Sequence, residues 1–283
     1  MTDVVLHGSP EEFWAAAGDL LTADPVQHTL PLTVFDRARS DERALATLVT
    51  VHDDGPCGAA LRVFPQVLVL SGTIAPAAES LAVLLGDADP ALNGVTGPTA
   101  EADAFAAEWT RLTGAAVRTR RTLRLHRLVD LVEPVGASTP RPGTARRGTE
   151  DDVDLLARWR LEFATEVQVG GGQKTGLHDI TLASLRRGDL HVLWEVDGTP
   201  LSWAVASAPV HGMSRVGPVY TPSAHRGNGC AAAVTAALSR RVLDAGTSHV
   251  VLFTDATNAV TNALYERIGY RVVDEFVEIE FVS

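Results

Sequence analysis

The chain has 283 residues, 46% of them hydrophobic, and a formal net charge of -11. That length accommodates two domains of ordinary size with apolar material for a core in each, and the acidic balance excludes the broad basic face that nucleic-acid binding requires. Cys57 and Cys230 are the only cysteines; neither has a Cys or His at metal-ligand spacing, so no disulfide framework and no metal site is expected. No apolar run approaches membrane-spanning length, and MTDVVLHGSPEE lacks the basic-then-apolar order of a secretory signal. The expectation is a cytoplasmic protein with no membrane or nucleic-acid partner, either a monomer or a homodimer.

In chain order, residues 10 to 23 read as a helix. ALATLVTVHDDGPCGAALRVFPQVLVLSG reads as a run of strands with a turn at Asp54-Gly55. Residues 75 to 85 and 99 to 113 read as helices, and AAVRTRRTLRLHRLVDL as a long strand. The stretch from Val132 to Ala145, VEPVGASTPRPGTA, holds three prolines and two glycines and reads as an exposed connector. It divides the chain into a first domain, 1–131, and a second, 146–283.

The second half opens on a short strand. Thr149 can cap the helix that follows, with Glu150, Asp151 and Asp152 in its first turn, where the helix dipole favours acids. Val153, Leu156, Trp159 and Phe163 form its apolar stripe. QVGGGQKTG is a loop, and Asp179 can cap a second helix ending before Gly188. LHVLWEVDGTPLSWAVASAPV alternates around Asp197-Gly198, a hairpin signal. MSRVGPVYT is a further strand, whose Gly217-Pro218 predicts a bulge because proline cannot donate to the ladder. Residues 229 to 245 form a helix, HVVLFTD a buried strand, NAVTNALYERIG a helix between Asn258 and Gly269, and YRVVDEFVEIEFV one or two strands. The fold class is α/β, an α+β mixed sheet that is mostly antiparallel with helical crossovers late. The first half repeats this order more weakly and lacks any Arg-Gly-x-Gly junction. It reads as a structural duplicate without its ligand loop.

The chemistry concentrates in VYTPSAHRGNGCAAAV, residues 219 to 234. A helix start exposes unpaired N–H groups and the positive end of the dipole. Glycines admit close approach, and Arg226 adds a guanidinium suited to phosphate. Arg226, Gly227, Asn228, Gly229, Cys230 and Ala231 therefore suit a phosphate or pyrophosphate; a plain strand-to-helix turn with a solvated Arg is the alternative on this segment alone. Gly227-x-Gly229-x-x-Ala232 also matches a dinucleotide fingerprint, with Asp255 as its ribose acid. Pro222 to Arg226 intervene, however, where that fingerprint starts directly after its strand. GGGQKTG has Lys174-Thr175 but carries Gln173 where a P-loop requires glycine.

Arg226-Gly-Asn-Gly-Cys-Ala231 fits Arg/Gln-x-x-Gly-x-Gly/Ala. NAVTNALYERIGYR fits Asn-x-x-(small or polar)-x-x-Leu-Tyr-x-x-x-Gly-Phe/Tyr. In this order, with one helix and one strand between them, the pair resembles the GNAT (N-acetyltransferase) superfamily over about residues 142 to 283. The first half resembles the degenerate N-terminal half of tandem GNAT proteins.

That resemblance implies an acyl-CoA cosubstrate, most often acetyl-CoA, without a metal. Arg226 to Ala231 would wrap the pyrophosphate. Val219, Tyr220 and Thr221 would run beside the pantetheine arm, the N–H of Val219 would polarise the thioester carbonyl, and Asn258 would contact the pantetheine region. Asn262, on the same helix, reads as structural. The reaction implied is direct transfer to a primary amine of a small molecule. Positioning lowers its barrier, a donor to the developing oxyanion stabilises it, and Tyr265 would protonate the leaving thiolate. No residue announces itself as the base; Glu162, Glu166, Glu195, His211, Glu278, Glu280 or a water chain are the candidates. Cys230 reads as a small helix-start residue rather than a nucleophile. The loop Glu166 to Gly176 would border the acceptor, and Trp194 and Trp203 read as core. Two other functions fit the sequence: a non-catalytic acyl-CoA sensor, and a nucleotide-dependent oxidoreductase using the glycine fingerprint.

Overall fold

The computed structural model describes residues 2–39, 46–134, 143–167 and 176–282. The chain forms two compact units. One is Met1–Leu125 with Asp255–Thr257 and Asp274–Ser283; the other is His126–Thr254 with Asn258–Val273.

The first ten elements are β1 (Asp3–Leu6), α1 (Pro10–Ala23), α2 (Thr29–Arg39), β2 (Ala46–His52), β3 (Pro56–Val63), β4 (Leu68–Gly72), α3 (Ala78–Ala88), β5 (Gly94–Pro98), α4 (Thr99–Thr113) and β6 (Ala116–Leu128). The next ten repeat that order: β7 (Thr144–Arg147), α5 (Val153–Glu166), α6 (Leu177–Arg187), β8 (Leu190–Val196), β9 (Thr199–Ala206), β10 (Met213–Tyr220), α7 (Cys230–Asp244), β11 (His249–Asp255), α8 (Ala259–Arg267) and β12 (Tyr270–Val282). The chain is thus a tandem duplicate of one mixed, mostly antiparallel α/β plan.

Local chemistry accounts for the element starts. Ser9 caps α1 by accepting the N–H of Glu12 at 3.2 Å, and the Glu12 carboxylate accepts the N–H of Gly8 at 2.9 Å in return. Phe13, Ala17 and Leu21 then fall on one buried face. The segment TLPLTVFDRAR, given no element in the sequence reading, is α2; its Pro31 lies in the first turn, where a missing N–H costs nothing. Asp197 and Gly198 both have left-handed φ, 51° and 74°, as the predicted hairpin demands. Thr149 donates its N–H to Asp152 at 2.9 Å across a 3-10 turn, Glu150–Asp152, that leads into α5. Asp179 does not cap α6: Gly176, with φ 69°, stands at that position, and Asp179 lies inside the first turn.

In the first unit the strand order runs β1-β2-β3-β4-β5, then β12 and β6. Phe276–Glu280 of β12 pair antiparallel with Gly94–Pro98 of β5. The last strand, read with the second half from sequence, therefore completes the first unit's sheet from Asp274 onward. Charge explains the choice of partner. Glu280 accepts from Arg118 at 2.6 Å and from Thr119 at 2.8 Å, Arg121 meets Glu278 at 2.9 Å, and Arg124 meets Glu275 at 3.2 Å. Opposite charges facing across strands fix register. Val277, Ile279 and Phe281 fill the same core as Leu70, Leu81, Phe105 and Trp109.

In the second unit the order is β11-β10-β9-β8-β7, with β10 and β11 parallel and the other pairs antiparallel. Alternation along β8 and β9 gives two cores. Val192, Ala204 and Ala206 pack with Leu238, Val242, Tyr265 and Tyr270 from α7, α8 and β12. Leu193, Trp203 and Val205 pack with Leu156 and Trp159 of α5. The connector shrinks in the structure, because Thr144 and Ala145 already belong to β7; residues 135–142 lie outside the described residues.

Candidate active site

β10 and β11 run together only from Met213↔His249 to Val216↔Leu252. β10 then shifts register between Val216 and Val219 against β9, resuming at Val219↔Ala204 and Tyr220↔Trp203. The irregularity predicted at Gly217-Pro218 is present, and β10 stays with β9 while its ladder to β11 ends. A Cβ placed on Gly217 would meet no described atom within 4 Å, so this strand borders open space. In the first unit, a Cβ on Gly97 of β5 would press on Leu70 of β4 at 2.9 Å. The two equivalent parallel strands there remain in contact.

The glycine junction follows β10. A 3-10 turn, Ser223–His225, leads to Arg226, and α7 starts at Cys230. Gly227 and Gly229 have φ of 77° and 72°, the left-handed region that other residues enter only with strain. Gly229 is the N-cap of α7, and among the described residues it has no side-chain cap hydrogen bond. Left-handed residues at alternate positions turn successive N–H groups toward one side, which is the geometry of an anion nest. The Asn228 side chain donates to the carbonyls of His225 and Arg226 at 3.2 and 3.3 Å, so it shapes the loop from within. Cys230 is 1% exposed and points its thiol back to the Asn228 carbonyl. The donor set fits an anionic group such as a pyrophosphate.

The structure places the remaining predicted residues as follows. Arg226 donates Nε to the Thr221 carbonyl at 2.9 Å and pairs a terminal nitrogen with the Glu166 carboxylate. Its guanidinium carbon lies 5.9 Å from the centre of the Tyr220 ring. Thr221 and Ser202 share a hydroxyl bond of 2.8 Å, and Ser202 also donates to the Tyr220 carbonyl at 3.1 Å. Tyr220 is 5% exposed. Burial raises its phenol pKa above the usual tyrosine range, and the carboxylates of Glu162 and Glu166 raise it further. Asn258 caps α8, accepting the Thr261 N–H at 3.0 Å, rather than reaching outward. Asn262 is buried, accepts from Thr254 at 2.7 Å and donates to the Asn258 carbonyl at 2.8 Å. His126 meets the same Thr254 hydroxyl at 3.0 Å, which ties α8 to the second unit's interior.

Tyr265 sits one turn further along α8. It is 7% exposed, lies within the same apolar cluster that Val219 packs against, and has its hydroxyl beside Thr235 of α7. Burial raises its pKa, so the phenol keeps its proton. The base candidates separate. Glu278 and Glu280 are engaged with Arg121 and Arg118 in the first unit. Glu195 is engaged with Arg146 at 2.6 Å. His211, with φ 48°, lies at the turn before β10. Glu166 reaches the end of β10 by accepting the Tyr220 hydroxyl at 3.2 Å, and the Glu162 carboxylate is close enough to raise the pKa of that phenol. The loop expected to border the acceptor, Glu166 to Gly176, lies outside the described residues from 168 to 175. Trp203 is fully buried as expected of core, and Trp194 packs against the cluster under α7.

Sequence reasoning missed the network Glu166–Arg226–Tyr220. The sequence offers Glu166 as a candidate base and loop residue, but not its partners, which stand more than fifty residues away.

Residues 202–279 match the model of a family described as FR47-like protein. A search by sequence among curated proteins matched none. Among solved structures, the chain is similar to a GCN5-related N-acetyltransferase from Sphaerobacter thermophilus, at 17% identity and TM-score 0.62, covering 99% of this chain and 95% of that one. It is similar to a tandem GNAT protein from the clavulanic acid biosynthesis pathway, at 13% identity and TM-score 0.60, covering 99% and 98%. A Drosophila protein of 16% identity aligns at TM-score 0.65 over 99% and 98% of the two chains. At these identities the likeness is one of fold, and it extends over both units.

Proposed function

We propose, from the premise that this chain is a tandem GNAT-fold protein, that its second unit is an acyl-CoA-dependent N-acyltransferase. Its donor is acetyl-CoA and its acceptor a primary amine of a small molecule. The observation that carries this reading is the ending of the β10–β11 ladder at Val216↔Leu252, followed within the same strand's exit by the left-handed pair Gly227 and Gly229 at the start of α7.

The donor supplies an electrophilic thioester and a thiolate leaving group. The residues divide the remaining work. N–H groups from Gly227 to Ala231 and the α7 dipole receive the pyrophosphate. Val219 to Thr221 would offer backbone partners to the donor's amide groups, and the Val219 N–H would be the donor that stabilises charge developing on the thioester oxygen. Tyr265, whose phenol carries its proton at neutral pH, would supply a proton to the departing sulfur. Glu162 and Glu166 are the carboxylates at the acceptor-side end of β10.

Release of free thiol from acetyl-CoA in the presence of a panel of small amines tests the reading, with Arg226→Glu as the variant. Amine-dependent release that drops at least tenfold in Arg226→Glu is expected, since a carboxylate then faces the pyrophosphate. Unchanged affinity for CoA in that variant removes the loop from the account.

A further inference from the structure

We infer that Glu166 is a latch on the donor loop: its carboxylate holds the Arg226 guanidinium in competition with the donor's pyrophosphate. This rests on the reading of Arg226 to Ala231 as the pyrophosphate loop.

Both oxygens of the Glu166 carboxylate are engaged by the segment that would receive the donor. One pairs with the terminal nitrogen of Arg226; the other accepts the Tyr220 hydroxyl at 3.2 Å. Arg226 is further held by Nε on the Thr221 carbonyl at 2.9 Å and by its position over the Tyr220 ring. Glu166 is the last residue of α5, while Arg226 opens the loop ahead of α7. Among the described residues, the Glu166–Arg226 ion pair therefore joins the end of α5 to the donor loop.

The pair is built to exchange. Its side chains are 49% and 43% exposed, and ion pairs at that exposure are weak and sensitive to salt. A pyrophosphate presents more negative charge and more acceptor oxygens than one carboxylate, and guanidinium binds it in bidentate fashion. The Nε contact to Thr221 anchors the stem, so only the terminal nitrogens need change partner. When they do, Glu166 loses its neutralising cation and Tyr220 remains between two carboxylates, Glu162 and Glu166. The acceptor-side end of β10 then becomes more negative as the donor binds, which favours an incoming ammonium. Coupling of this kind is reciprocal: an occupant that pairs with Glu166 releases Arg226 and strengthens donor binding equally.

Glu166 is thus a positioning residue, and the test is calorimetric titration with coenzyme A itself. Wild type, Glu166→Gln and Asp179→Asn are compared, the last removing one exposed carboxylate from α6 as a control for net charge. Glu166→Gln is expected to bind coenzyme A about two- to fivefold tighter than wild type, a shift that matches the strength of an exposed pair. The gain should shrink at high ionic strength, and Asp179→Asn should stay within about twofold of wild type, as expected for an exposed charge in contact with His178. A melting temperature close to wild type shows that Glu166→Gln is folded. Equal or weaker binding in Glu166→Gln overturns the latch and makes the pair a strut that shapes the loop. Absence of binding in wild type and both variants is a different failure, that of the donor-loop reading, and removes the latch with it.

Discussion

The Glu101 carboxylate accepts the backbone N–H of Ile74 at 2.6 Å, and the same oxygen accepts that of Ala75 at 2.5 Å. These donors lie between β4 and α3, the first unit's counterpart of the glycine junction. Only residues 73–77 bridge that gap, whereas residues 221–229 bridge β10 and α7. The first unit thus lacks the looped segment and answers its helix-start N–H groups with an internal anion. Replacing Glu101 with Ala leaves both donors without that charged acceptor. It should destabilise the protein by about 1–3 kcal/mol in urea denaturation, with the number of CoA molecules bound unchanged.

Tyr265→Phe separates chemistry from binding. The phenol is buried in the apolar cluster beneath α7 and α8, so Tyr265→Phe keeps the packing ring and removes only the hydroxyl. Turnover should fall on the order of 10²-fold if this group protonates the thiolate, with CoA affinity little changed. Steady-state kinetics alongside calorimetry reads both. Full activity assigns the proton to water or another group.

Gly227→Ala probes the nest. No described atom lies within 4 Å of the added Cβ, so the protein around it does not object sterically; the φ of 77° does, by about 1 kcal/mol. A methyl group projecting into the open space beside the loop, together with the strained φ, should also weaken CoA binding by about tenfold, equivalent to about 1.4 kcal/mol. Equal affinity would mean that the anion sits elsewhere.

His191 makes stability depend on acid. It is fully buried, accepts from Trp203 Nε1 at 3.2 Å through Nδ1, and donates Nε2–H to Ser184, whose own hydroxyl is given to Asp189 at 2.6 Å. This arrangement uses the neutral ring. Burial, reinforced by Arg160, lowers its pKa to about 4 from 6.5. The unfolded chain takes up the proton below pH 6.5 while the folded one does not, so stability falls as pH drops from about 6.5 to about 4. The loss is on the order of 3 kcal/mol. His191→Gln, which keeps an acceptor for Trp203, should show a correspondingly shallower decline when denaturation is measured at pH 7 and pH 5.

Much of the fold is written locally. The hairpin at Asp197-Gly198, the apolar spacing of Phe13, Ala17 and Leu21, and the strand irregularity at Gly217-Pro218 each follow from a few adjacent residues. So does the repeat of one element order in two halves. What depends on distant partners was not legible. β12 joins the first unit because Glu275, Glu278 and Glu280 meet arginines of β6 more than 150 residues earlier. Asn258 has the expected motif position, yet its side chain caps its own helix. Arg226 was read as a cation pointed at phosphate; its pairing with Glu166 depends on where α5 ends, which periodicity does not reveal.

The central claim is that the second unit alone binds an acyl-CoA donor. Calorimetric titration with acetyl-CoA, and with NADPH as the comparison ligand, tests it most directly. The account predicts one acetyl-CoA per chain and no NADPH binding. Two acetyl-CoA per chain, binding of NADPH in its place, or no binding of acetyl-CoA would each contradict it.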